Sequence, residues 1–119
     1  MNTINHSEMV KALAKDGATI QREMSPLDAH IMHMAIGVCG ESGELMDAIK
    51  KRVIYCKELD RANVVEELGD LEFYMEGLRQ GLNITREETI TANIAKLSVR
   101  YSAGKFSNSQ ATARADKAQ

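Results

Sequence analysis

The stretch that decides the fold runs from Ser25 to Tyr55 and reads SPLDAHIMHMAIGVCGESGELMDAIKKRVIY. Ser25 followed by Pro26 is a helix-start signature, a capping hydroxyl and then proline at the first helical position. From there Leu27, Ile31, Met34, Val38, Leu45 and Ile49 recur on one face, the period of a long amphipathic helix. Lys57 to Arg61 is a polar connector. A second helix is expected from about Ala62 to Gln80, burying Val64, Leu68, Leu71, Met75 and Leu78, with Gly81 as its stop. Thr85 and Glu88 then form a capping box that opens a helix with Ile90, Ile94, Leu97 and Tyr101 on one face. Upstream, a weakly patterned helix spans about Ser7 to Glu23, with Gly17 near its middle. Downstream of Gly104 the chain turns polar and alanine-rich, a tail left either disordered or lying as an arm across a neighbour. Alternating β-branched runs are almost absent. The expectation is an all-α single domain over 1–119, core about 25–107 and polar tail 108–119. It is read as an antiparallel bundle of about four helices with short connections, completed by oligomerisation.

With 119 residues the chain suits one modest core. A formal net charge of −2 gives no basic field for nucleic acid. Cys39 and Cys56 fit no zinc or Cys-x-x-Cys spacing and read as buried free thiols. Met1 to Glu8 lacks the basic and apolar regions of a signal peptide, and no apolar run approaches membrane-spanning length. These features predict a soluble cytoplasmic protein with neither nucleic acid nor membrane as partner.

The charges are placed with more point. At roughly 100° per residue, Glu41 lies almost inside the apolar stripe of the long helix and Glu44 at its margin. Three-residue spacing makes them neighbours. Glu67 and Asp70 repeat the arrangement on the next helix, whereas Glu66 points away and is expected in solvent. Like charges at ~4 Å repel by roughly 4 kcal/mol at an effective dielectric of 20. Four carboxylates brought together therefore shift their pKa values, pair with cations or bind a metal. All-oxygen donors suit Mg²⁺ or Mn²⁺. Asn93, Lys96 and Arg100 form a flank beside the apolar stripe of the last long helix, and Lys51 shares the face of Glu44 two turns along. A carboxylate-held metal beside such cations is what a phosphate-ester or pyrophosphate substrate requires.

Blander readings compete with several of these. Either acidic pair alone is an ordinary surface feature, and Lys96 and Arg100 alone are a dipole-favoured last turn. His30 and His33 lack a carboxylate at Glu-x-x-His spacing, which favours packing or a surface role over a metal site, and a di-iron bundle finds no such paired ligands here. Gly37, Gly40 and Gly43 each cost about 1 kcal/mol against alanine inside a helix. Close helix packing is the preferred explanation at Gly43, while packing and ligand approach both stay open at Gly37 and Gly40. Tyr74 and Tyr101 are core aromatics before they are base-stacking ones.

In order along the chain, Gly40-Glu41-Ser42-Gly43-Glu44-Leu45 with Asp47 to Lys51, then Glu66-Glu67-Leu68-Gly69-Asp70 with Phe73-Tyr74, then Asn93-Ile94-Ala95-Lys96-Leu97, Arg100-Tyr101 and Gly104-Lys105-Phe106-Ser107 resemble the three motifs of the MazG-type all-α nucleoside triphosphate pyrophosphohydrolases. The resemblance spans about Leu27 to Ser107. It implies Mg²⁺ on Glu41, Glu44, Glu67 and Asp70, and phosphate or sugar contacts from Lys51, Asn93, Lys96, Arg100 and Tyr101. It further implies homodimers or dimers of dimers with sites between chains. Two positions depart from the pattern. Gly40 stands where many relatives carry a further glutamate. Glu72 and Glu76 stand where many carry apolar residues, which either alters base selection or leaves two exposed acids. The expected activity is conversion of a nucleoside triphosphate and water to monophosphate and pyrophosphate, in pool control or house-cleaning, with Glu41 or Glu44 as general base. The rival is a non-catalytic helical interaction protein on the same fold, which predicts no metal-dependent stabilisation.

Overall fold

The computed structural model describes residues 3–117. Positions 1, 2, 118 and 119, the extreme ends of the expected domain, of the polar start and of the tail, lie outside the described residues. The fold is all-α: α1 (His6–Leu13), α2 (Gly17–Glu23), α3 (Pro26–Val53), α4 (Arg61–Leu82), α5 (Arg86–Arg100), α6 (Asn108–Ala113) and a closing 3-10 turn (Ala115–Lys117). No helix among the described residues is long and apolar enough to cross a membrane.

Helix starts follow local chemistry. The Ser25 hydroxyl accepts from the Asp28 amide while the Asp28 carboxylate accepts from the Ser25 amide, a full capping box with Pro26 just inside. Asp60 caps α4 through the Asn63 amide at 3.0 Å, and Thr85 caps α5 through that of Glu88. The expected single helix Ser7 to Glu23 is two. Asp16 leaves helical geometry to cap α2, so the break falls just before Gly17. Gly81 is not the stop of α4. The helix runs on to Leu82, and Asn83 ends it in the left-handed region at φ 56°.

Gly81 instead belongs to the α3–α4 packing. A Cβ there would sit 2.7 Å from the His30 ring, one at Gly77 would overlap Met34, and one at Gly37 would overlap the Tyr74 ring. These pairs move up α3 as they move down α4, so the two helices are antiparallel and closely packed. His30 Nε2 donates across the seam to the Gly77 carbonyl at 3.0 Å. For Gly37 the structure thus selects packing. Gly40 and Gly43 meet nothing within 4 Å, so the packing expected at Gly43 is not made inside the chain.

Replacing Gly37 by alanine is accordingly expected to destabilise the protein by about 1–3 kcal/mol through overpacking against Tyr74. Gly43→Ala on an open face is expected to stabilise by up to about 1 kcal/mol. Thermal melts of both variants check this, and a loss of stability at Gly43→Ala would show that another chain packs there.

Beyond the α3–α4 pair the chain builds little core. Among the described residues, Met34 at 6 % and Ala48 at 7 % exposure are the buried hydrophobic ones, while Ile36, Met46, Leu68, Phe73 and Ile94 stand in solvent. Both cysteines are exposed free thiols rather than buried ones. The radius of gyration is 20.6 Å, against about 13–14 Å for a compact domain of this length. Helix α5 packs on α6 and the 3-10 turn, its apolar stripe otherwise open. Among the described residues after Gly104, α6 and the 3-10 turn fold back on α5.

Candidate metal centre

The register that sets Gly37 against Tyr74 also brings the acidic residues of α3 towards those of α4. One carboxylate oxygen each from Glu41, Glu67 and Asp70 lie within 4.8 Å of one another. Glu41 and Glu67 are half-buried and Asp70 is exposed; Glu66, next in sequence, is exposed, as its helix angle requires. Glu44 is exposed and lies outside this trio, yet its charge still acts on Glu67.

Glu67 is the electrostatic focus. Hydrogen bonding with the Glu41 carboxyl, then burial, then the charges of Glu41, Glu44 and Asp70 push its pKa up to about 7. Its Oε2 is shielded from solvent and, apart from the neighbouring Glu41 carboxyl, has no hydrogen-bond partner. No ion pair among the described residues involves any of the four carboxylates. A buried, orphaned carboxylate oxygen facing two more carboxylates is the donor set of a hard divalent cation. Two oxygens on one Mg²⁺ stand at most about 4.2 Å apart, given bonds of about 2.0–2.1 Å. Small side-chain rotations close the observed spread, so the residues fit the ion.

The cationic residues lie elsewhere. Lys51 pairs with Asp47 at 3.2 Å, both exposed. Asn93 and Lys96 are exposed on α5, whose packing is with the C-terminal segment. Arg100 is held by Asp116, Nε donating to Oδ1 at 2.6 Å and Nη2 to Oδ2 at 3.1 Å. Tyr101 packs on Phe106 at 6.0 Å between ring centres, beside a hollow also lined by Ile94, Leu97, Ser98 and Lys105. The structure therefore gathers Glu41, Glu67 and Asp70, keeps Glu44 within electrostatic reach, and does not carry the α5 residues to them within one chain. Asp116 escaped the sequence reading because a lone acid in a polar tail carries no periodic signal. Of the departures from the motif pattern, Glu72 is exposed, and exposed Glu76 accepts from Arg79 at 2.9 Å, which lowers its pKa.

No curated protein and no solved structure matches the chain. A family model, the MazG nucleotide pyrophosphohydrolase domain, matches residues 31–104. That span holds the whole α3–α4 carboxylate face and all of α5. A helix pair that turns its acids inward, leaves one oxygen unsatisfied and falls within this match has the family's architecture and the donor set for its divalent metal, and the chain belongs to the MazG nucleotide pyrophosphohydrolase family.

Proposed function

We propose that the protein is a Mg²⁺-dependent nucleoside triphosphate pyrophosphohydrolase, converting NTP or dNTP and water to the monophosphate and pyrophosphate. The observation that carries this reading is the Glu41–Glu67–Asp70 cluster with its orphaned Glu67 oxygen, inside the family match. Glu41, Glu67 and Asp70, with Glu44 one helical turn along, would hold the cation. When bound, Mg²⁺ supplies neutralisation of phosphate oxygens and lowers the pKa of an attacking water. Mn²⁺ offers the same coordination preferences and is an expected substitute.

The rest falls to the chain. Glu41 or Glu44 takes the proton of the water as its oxygen bonds to phosphorus and the anhydride bond between the α and β phosphates breaks. Lys51, Asn93, Lys96, Arg100 and Tyr101 receive the phosphates and sugar, with Lys96 and Arg100 compensating charge on the departing pyrophosphate. In a single chain α5 does not pack on the carboxylate face. We therefore place the complete site between copies, in a homodimer or dimer of dimers that also covers the exposed apolar stripes of α3, α4 and α5.

Incubation with a panel of canonical and modified nucleoside triphosphates, measuring monophosphate and pyrophosphate together, tests this. Equal release of both, dependent on Mg²⁺, is expected, and the best substrate names the base and the role. Release of orthophosphate instead would contradict the reaction.

A further inference from the structure

The C-terminal segment returns to the end of α5 and delivers one charged group there. After the Tyr101–Phe106 aromatic pair, Ser107 caps α6 through the Gln110 amide, and Gln110 Nε2 donates to Ser102 Oγ at 3.0 Å. The 3-10 turn then sets Asp116 against Arg100. The Asp116 side chain is 4 % exposed and that of Arg100 17 %. Their contact is a two-point fork, the geometry in which guanidinium and carboxylate bind most strongly and with fixed orientation. The Tyr101 hydroxyl also favours the guanidinium charge.

The fork uses one N–H of Nε and one of Nη2. A guanidinium carries five N–H donors; the Asp116 fork takes two and the Tyr101 hydroxyl sits beside the group as well, which leaves further N–H groups to meet an anion. An unrestrained arginine at a helix end would have to lose its rotamer freedom on meeting an anion; this one is already held. An enclosed carboxylate in such a pair is also costly to pull away from its partner, which fits a fixed support better than a releasable latch.

We propose that Asp116 is a positioning residue that holds the Arg100 guanidinium by its Nε edge so that its remaining N–H groups form a ready-made contact for the nucleotide's phosphate chain. This rests on the reading of Arg100 as a phosphate contact and extends the functional unit past the family match into the C-terminal segment.

Calorimetric binding of pyrophosphate in the presence of Mg²⁺ tests it on the full chain, with Asp116→Asn, Arg100→Ala and the double variant. Asp116→Asn is expected to weaken binding about tenfold and Arg100→Ala by about tenfold or more. The double variant should bind no more weakly than Arg100→Ala alone, because Asp116 acts through Arg100. Should Asp116→Asn lose its helicity, Asp116→Glu, which keeps the charge but shifts it by one methylene, is read in the same cycle and is expected to weaken binding. Unchanged or tighter binding in the Asp116 variant overturns the proposal, tighter binding meaning that the tail competes with phosphate. An equal further loss on the Arg100→Ala background also overturns it, as a general structural effect. Absence of pyrophosphate binding in the wild type overturns it together with the functional reading, whereas wild-type binding with an indifferent Asp116 removes this inference alone.

Discussion

Alanine at Asp70 or Glu44 is expected to lower turnover by more than about a thousandfold while leaving the helical circular-dichroism signal intact. The two residues differ in an informative way. Asp70 belongs to the gathered trio, so its loss removes a ligand directly. Glu44 stands outside that trio and reaches Glu67 through charge, so a comparable loss there means that it joins the cation, or takes the water's proton, once substrate is bound. Both residues are exposed, so truncation opens no cavity in the core. Near-normal turnover in either variant, measured as pyrophosphate release, would refute its assignment.

The second large effect is on pH. Glu67 is raised from an ordinary 4.5 to about 7, first through its hydrogen bond with Glu41, then through burial and the neighbouring acids. Below about pH 7 the folded protein keeps a proton that an incoming cation must displace. Metal affinity should therefore rise by up to about tenfold per pH unit from pH 4.5 to 7 and level off above. Without the cation the sign is opposite. In that same window the folded state binds one more proton than the unfolded chain, so stability falls as pH rises and is flat beyond about 7. Glu67→Gln removes both trends. Mg²⁺ titrations and thermal melts across this range check the pair of slopes. A cation-free protein that gains stability from pH 5 to 7 through this group would contradict the assignment.

Sequence periodicity is informative where one helix face meets a partner. Ser25-Pro26 and the stripe from Leu27 to Ile49 located α3, and the angular positions of Glu66 and Glu67 correctly separated an exposed acid from an inward one. Glycines were harder. The same residue type serves close packing at Gly37 and an open face at Gly43, and only the neighbouring helix distinguishes them. Gly81 looked like a terminator and proved to be the floor beneath His30. The break at Asp16 and the stop at Asn83 depend on which short polar side chain or left-handed residue captures the free backbone groups, a contest of small energies between near neighbours. Helix angles put Lys96 and Arg100 on one flank of α5, but where that flank points is a tertiary matter that no spacing encodes. Asp116 lay beyond reach for the same reason.

Everything proposed for the site depends on Glu41, Glu67 and Asp70 holding a divalent cation. Mn²⁺ titration followed by electron paramagnetic resonance tests it most directly, because the six-line signal of the free ion fades on binding. Saturable loss of that signal at pH 8, reversed by excess Mg²⁺ and absent in Asp70→Ala, is the predicted result. A free-ion signal as strong with protein as in buffer, or binding unaltered by Asp70→Ala, would contradict it.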